Sequence, residues 1–173
     1  MALDAHQQAI VDEVSRAVGC VEKRKNMLII GEAGTGKSYL LRKLRECADG
    51  MDIAMVCPTG VAAENLKSML RQKKPVPMTV HSYFMVQDRR PVQESVRMLR
   101  EKHAKRVAKI CSPHFLLIID ELPMLSCLIM DKVQRILRIL RGDEVASFRS
   151  RPWGGAWVIM CGDCFQIPPI ETV

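Results

Sequence analysis

The sequence predicts an α/β domain, a mainly parallel sheet with helices on both faces. Short apolar runs at 27–30, 53–56, 115–119 and 156–161 alternate with longer stretches of helical periodicity, the pattern of strand and crossover helix. Each run is followed at once by a polar or glycine-containing motif, beginning at Gly31, Pro58, Asp120 and Gly162. In such sheets ligands lie beyond the carboxyl ends of the strands, so the fold should gather these four segments along one edge. The length, 173 residues, suits one domain.

Each element has its own signal. Asp4 with Gln7 three residues on reads as a capping box opening a helix to Val18, with Ile10, Val11, Val14 and Val18 on its apolar side. Met27–Ile30 is a strand, and after Gly31–Ser38 a helix runs to about Cys47, ending near the turn at Asp49 and Gly50. Ile53–Val56 is the second strand, with a helix starting near Thr59. Gln72–Pro77 is a basic, proline-containing loop, and Thr79–Phe84 a short element of open type. From Asp88 to Lys109 eight Lys or Arg face three Asp or Glu, with Val92, Val96, Leu99, Val107 and Ile110 at helical spacing. A solvated helix face and a nucleic-acid contact both fit that stretch. Phe115–Ile119 is the most apolar strand. Pro123 then suits the first turn of a helix striped by Leu125, Leu128, Ile129, Val133, Ile136, Leu137 and Leu140, which Gly142 can end. Ala156–Cys161 is the last strand.

Composition narrows the class of molecule. With 48% hydrophobic and 26% charged residues the chain can build a core, which excludes disordered and collagen-like classes. The net charge of +7 and pI near 9.2 favour a polyanionic partner, nucleic acid ahead of a membrane surface. No apolar run reaches the roughly 18 residues of a membrane span, and Asp4 and His6 interrupt any leader, so no membrane partner and a soluble intracellular location are expected. Seven cysteines, an odd number set mainly among apolar residues, read as reduced thiols. Cys161 and Cys164 form a CxxC without a second pair, which argues against zinc.

Two motifs carry chemistry. Gly31, Glu32, Ala33, Gly34, Thr35, Gly36, Lys37 and Ser38 fit GxxxxGK[ST] between a strand and a helix. Backbone N–H groups and the helix N-terminus can cradle phosphates there, Lys37 can reach the β/γ-phosphates of ATP, and Ser38 can ligate Mg2+. Asp120 and Glu121 directly follow a buried strand. A nucleotide hydrolase needs one acid near magnesium, here Asp120, and a second to activate water, here Glu121. The second acid also favours hydrolysis over a small-molecule kinase.

The strings GEAGTGKS, CPTGVAAEN, TVHSYF, IIDELPML and CGDCFQIPP, in this order, make the chain from Leu3 to Pro169 resemble the first motor domain of the Pif-one and RecD-like group of superfamily 1B DNA helicases. The resemblance implies a RecA-like domain in enzymes that use ATP to move 5′ to 3′ on single-stranded DNA and unwind duplexes. It implies that Gln7 contacts adenine, an alternative to its capping role, and that Gln166 senses the γ-phosphate, a task suited to an amide that donates and accepts. Pro58, Thr59 and Gly60 would hold a DNA phosphate at a helix start, with Thr59 equally a plain N-cap, and His81 would face DNA beside Thr79. Phe84 fits either the core or a base-stacking platform. The implied location is a nucleus or mitochondrion in a eukaryote.

Two departures stand out. Pro123 replaces the serine usual in the group's DExSM segment, removing a hydroxyl and an N–H. Val173 falls just after the sensor glutamine, so residues 1–173 are expected to form one partial motor domain, incomplete at the C-terminus and lacking the second motor and its arginine finger. Such a finger is worth about 10³ to 10⁵ in rate, so the chain alone should hydrolyse ATP feebly and not unwind. A second motor domain from a longer gene product would be its partner. A P-loop ATPase or kinase unrelated to DNA, and an inactive nucleotide-binding fragment, are the alternative readings.

Overall fold

A computed structural model describes residues 3–32, 34–70 and 75–163. Five parallel strands form one sheet in the order β1-β5-β4-β2-β3: β1 (Met27–Ile30), β2 (Asp52–Cys57), β3 (Met78–Thr79), β4 (Phe115–Ile119) and β5 (Trp157–Gly162). Register runs Val56 to Ile119 to Met160 across the three central strands, and Ile30 pairs with Gly162. This places the carboxyl ends of β1, β5, β4 and β2 side by side. β4 is buried at all five positions, as expected of a central parallel strand covered on both faces.

Alternate residues of the strands feed two cores. On one face α1 (Ala5–Val18), α2 (Lys37–Cys47) and α3 (Gly60–Met69) pack on Ile53, Met55, Cys57, Leu116, Ile118, Ile159 and Cys161. On the other, α4 (Val80–Phe84), α5 (Val92–Lys102), α6 (Ala104–Cys111) and α7 (Cys127–Glu144) pack on Ala54, Val56, Phe115, Leu117, Ile119 and Val158. The two-sided α/β sheet is therefore as the sequence predicts. Phe84 is fully buried in the second core, which settles it as a packing residue. At the edge, β1 pairs only with β5 among the described residues, and Leu28 and Ile30 are 55% and 59% exposed.

Local details differ from expectation in three places. Pro123 does not open α7: it sits in a 3-10 turn, Leu122–Met124, and α7 begins after Ser126, whose hydroxyl accepts from the Ile129 amide. Leu125 consequently precedes the helix, and Leu128 faces out. Gly142 does not end α7, which continues to Glu144. It is buried there because Arg149 crosses so closely that a Cβ would lie 2.2 Å from Arg149 Cγ. The basic stretch from Asp88 forms two helices rather than one, broken at His103, whose φ of −136° and ψ of 43° leave the helical region.

Two buried cations hold the second layer together. The Lys132 ammonium donates to the carbonyls of Gln87, Asp88 and Arg90, gathering the loop before α5. The Arg141 guanidinium donates to the carbonyls of Ile110, Ser112 and Gly154, joining α6, the approach to β4 and the approach to β5.

Candidate nucleotide-binding site

The phosphate loop connects β1 to α2. Its first residue still belongs to the ladder, since the Gly31 amide donates to Gly162 O. The loop then turns tightly: a Cβ on Gly31 would lie 2.8 Å from Thr35 Oγ1, and Gly36, the N-cap of α2, has a φ of 80°. The left-handed backbone at Gly36 favours glycine, and a side chain at Gly31 would have to displace the Thr35 hydroxyl. Lys37 is the first residue of α2, and its ammonium donates to the carbonyls of Gly31 and Glu32 at 2.6 Å each. The amides that open α2 and this ammonium thus concentrate positive charge at one point, which is the electrostatic requirement for phosphate.

Gln7 takes the capping role and also reaches the phosphate loop. Its amide N–H and side-chain oxygen complete the capping box with Asp4, and its side-chain nitrogen donates to Thr35 O at 2.8 Å. The start of α1 is thereby tied to the phosphate loop.

Asp120 leaves the end of β4 with its amide donating to Val56 O at 2.9 Å. Glu121 follows in the left-handed region, φ 54°, and its amide donates to Asp120 Oδ1 at 3.0 Å. A glutamate in that region is uncommon and stores strain where the chain turns from strand to loop. The 3-10 turn after it rests on β5, because a Cβ on Gly162 would lie 2.3 Å from Pro123 Cδ. Burial raises the Asp120 pKa, with the Glu121 amide and the Lys37 charge opposing that rise. Glu121 is also raised, by burial first and then by the neighbouring Asp120.

These pieces line one cleft of about 420 Å³: Gly34, Gly36, Lys37 and Ser38 on one wall, Asp120 and Glu121 on another, Gly162 and Asp163 behind. Its size lies within the range of small-molecule sites. Asp163 is 4% exposed and is a site residue that motif reading did not single out, although it lies inside the string CGDCFQIPP. Tyr39 and Met69 also line the cleft. Ala33 and Gln166 lie outside the described residues. Among the described residues no cluster of three or more His, Cys, Asp or Glu could hold a metal by itself. A divalent ion here would need nucleotide oxygens as ligands, the usual arrangement for magnesium beside phosphates.

Pro58, Thr59, Gly60 and His81 do not line the cleft. They follow β2 and β3, at the other end of the same edge. The Thr59 hydroxyl accepts from the Ala62 amide at 3.1 Å, capping α3, and Gly60 and Val61 are exposed. Thr79 caps α4 in the same way, accepting from the Ser82 amide, and His81 is exposed beside it. The edge therefore has two halves, a phosphate cleft at β1-β5-β4 and two exposed helix starts at β2-β3.

Fold and cleft together define a P-loop α/β domain with a pair of acids facing the phosphate loop. The family model for PIF1-like helicases matches residues 2–172, and the chain belongs to that family. It is 31% identical over 167 residues to the ATP-dependent DNA helicase PIF1 of Saccharomyces cerevisiae, covering 92% of this chain and 17% of that protein. The crystal structure of Pif1 helicase from Candida albicans superposes with a TM-score of 0.75 at 27% identity, covering 99% of this chain and 34% of the other. A Bacteroides Pif1 helicase in complex with ADP-AlF3 and ssDNA gives 0.65 at 27% identity, with the same coverage. The chain thus spans about a sixth of the yeast relative and a third of the solved chains.

Proposed function

We propose that this chain is the ATP-binding motor domain of a DNA helicase, holding MgATP in the cleft and single-stranded DNA along the β2-β3 half of the edge. The observation that carries the reading is the convergence of Lys37, Ser38, Asp120 and Glu121 on one cleft from two segments far apart in the chain. Family membership and the Bacteroides complex with ADP-AlF3 and ssDNA support it.

The donor set fits a magnesium nucleotide. Ser38 offers a hydroxyl and Asp120 a carboxylate to the ion, whose contribution is to neutralise charge on the phosphates. Amides at the loop and the Lys37 ammonium hold the β- and γ-phosphates, exchanging two carbonyl partners for phosphate oxygens. Glu121 orients water and takes its proton, and a raised pKa makes its carboxylate a better base than an ordinary glutamate. Gln7, tied to the loop's flank, would contact the base, and by the family resemblance Gln166 would sense the γ-phosphate. Thr59 with the amides of Gly60 and Val61, and His81 beyond them, would take DNA phosphates without reading sequence.

Lys37→Ala is the direct test. Binding of a fluorescent ATP analogue with magnesium should be abolished, with the thermal unfolding midpoint close to that of the parent chain. Unchanged affinity would remove the cleft as the nucleotide site.

A further inference from the structure

Helix α6 carries charge that the fold does not use. Lys105 and Lys109 lie one turn apart on it and are exposed with Ala108, while Val107 and Ile110 turn toward the core. Lys102 is exposed at the end of α5, just before the break at His103. Helix α6, AKRVAKIC, has no acidic residue. No carboxylate among the described residues forms an ion pair with Lys102, Lys105 or Lys109.

The arginine-rich groove between α5 and α7 differs. There Arg97 pairs with Glu101, Arg135 with Asp131, and Arg100 and Arg149 share Asp143. Each of these four arginines has a carboxylate partner, with Asp143 shared between two, so most of their charge is offset locally.

The position of α6 gives its lysines a use. The Arg106 guanidinium donates to the carbonyls of Ser82 at 3.0 Å and Tyr83 at 2.8 Å and lies over the Tyr83 ring at 4.9 Å. This fastens α6 to α4, the short helix that carries exposed His81. From that contact α6 runs back to Ile110 and Ser112 at the amino end of β4, where Arg141 holds it. Helix α6 thus begins beside the β2-β3 half of the edge and leads away from it along the second layer.

We propose that Lys102, Lys105 and Lys109 extend the binding surface for single-stranded DNA, taking the phosphodiester backbone after it passes Thr59 and His81. Lysine suits this task as a mobile point charge that engages phosphate without fixed geometry or base preference. The inference rests on the single-stranded DNA reading above.

The test is the binding of labelled oligothymidylate to the chain, followed by anisotropy across a salt series. For single strands each phosphate contact contributes about 0.7 to the slope of log affinity against log salt. Lys105→Ala with Lys109→Ala should lower that slope by about 1.4 and weaken binding at low salt, with affinity for the ATP analogue and the unfolding midpoint unchanged. The paired Arg substitutions should keep the slope. Parallel lines for the parent chain and the Ala variant would overturn the extended surface while leaving the DNA reading intact, as would a loss confined to duplex DNA. A parent chain that fails to bind the strand at low salt would overturn both.

Discussion

Burial raises the pKa of Asp120, and the sign of its effect on stability follows. A carboxyl whose pKa is higher folded than unfolded binds more protons in the native state. Its contribution to stability is then greatest at low pH and is lost as pH rises from the unfolded through the folded pKa. Asp120→Asn removes that loss and keeps an oxygen to accept from the Glu121 amide. The variant should melt higher than the parent near neutral pH in the absence of nucleotide, and the difference should close as pH drops through the carboxylate range. Nucleotide affinity should lose its magnesium dependence in the same variant. Residues of this kind were legible in the sequence because the motif fixes their spacing: Gly31, Lys37, Ser38, Asp120 and Glu121 all reach one edge. Asp163, Tyr39 and Met69 were not, since each enters the cleft through the way β5, α2 and α3 pack. The double contact of Gln7 was half legible. Spacing announces a capping box, but no local signal places its amide against Thr35.

At the scale of elements, α7 shows tertiary packing overriding propensity. A glycine inside a helix ordinarily costs up to about 1 kcal/mol relative to alanine, so Gly142→Ala should stabilise on propensity alone. The crossing of Arg149 reverses that. The new Cβ would meet Arg149 Cγ at 2.2 Å and its backbone N and Cα at 3.2 and 3.3 Å. Overpacking of this sort costs about 1 to 3 kcal/mol, which outweighs the propensity gain. Gly142→Ala should therefore lower the thermal midpoint by several degrees, measurable by circular dichroism. The same crossing explains why glycine failed as a stop signal there. Pro123 misled for a related reason: its fixed φ suits a helix start, and the short 3-10 turn packed on Gly162 uses that preference before α7 begins. The break at His103 left no mark in the apolar spacing, which continues through it from Leu99 to Val107 and Ile110. Four of the five strands, by contrast, were read almost to the residue, because buried parallel strands are continuous apolar runs; β3, only two residues long, carries no such run.

For the molecule as a whole, the alternation of strand and helix sufficed to predict a two-faced sheet, and the rule that ligands lie beyond the carboxyl ends of parallel strands pointed to the edge that carries the cleft. Strand order was not legible, because hydrophobic pattern says where strands are and not which are neighbours. That order matters: β5 and β4 stand between β1 and β2, and so separate the phosphate loop from the exposed helix starts. Among the described residues it also leaves β1 outermost. No described strand pairs with its other side, and Leu28 and Ile30 stand on one face in contact with water. A border of this kind invites sticking between copies. Concentrated solutions of the chain should scatter light increasingly with protein concentration, and Ile30→Lys, which places a charge on that border, should raise the concentration at which clouding begins.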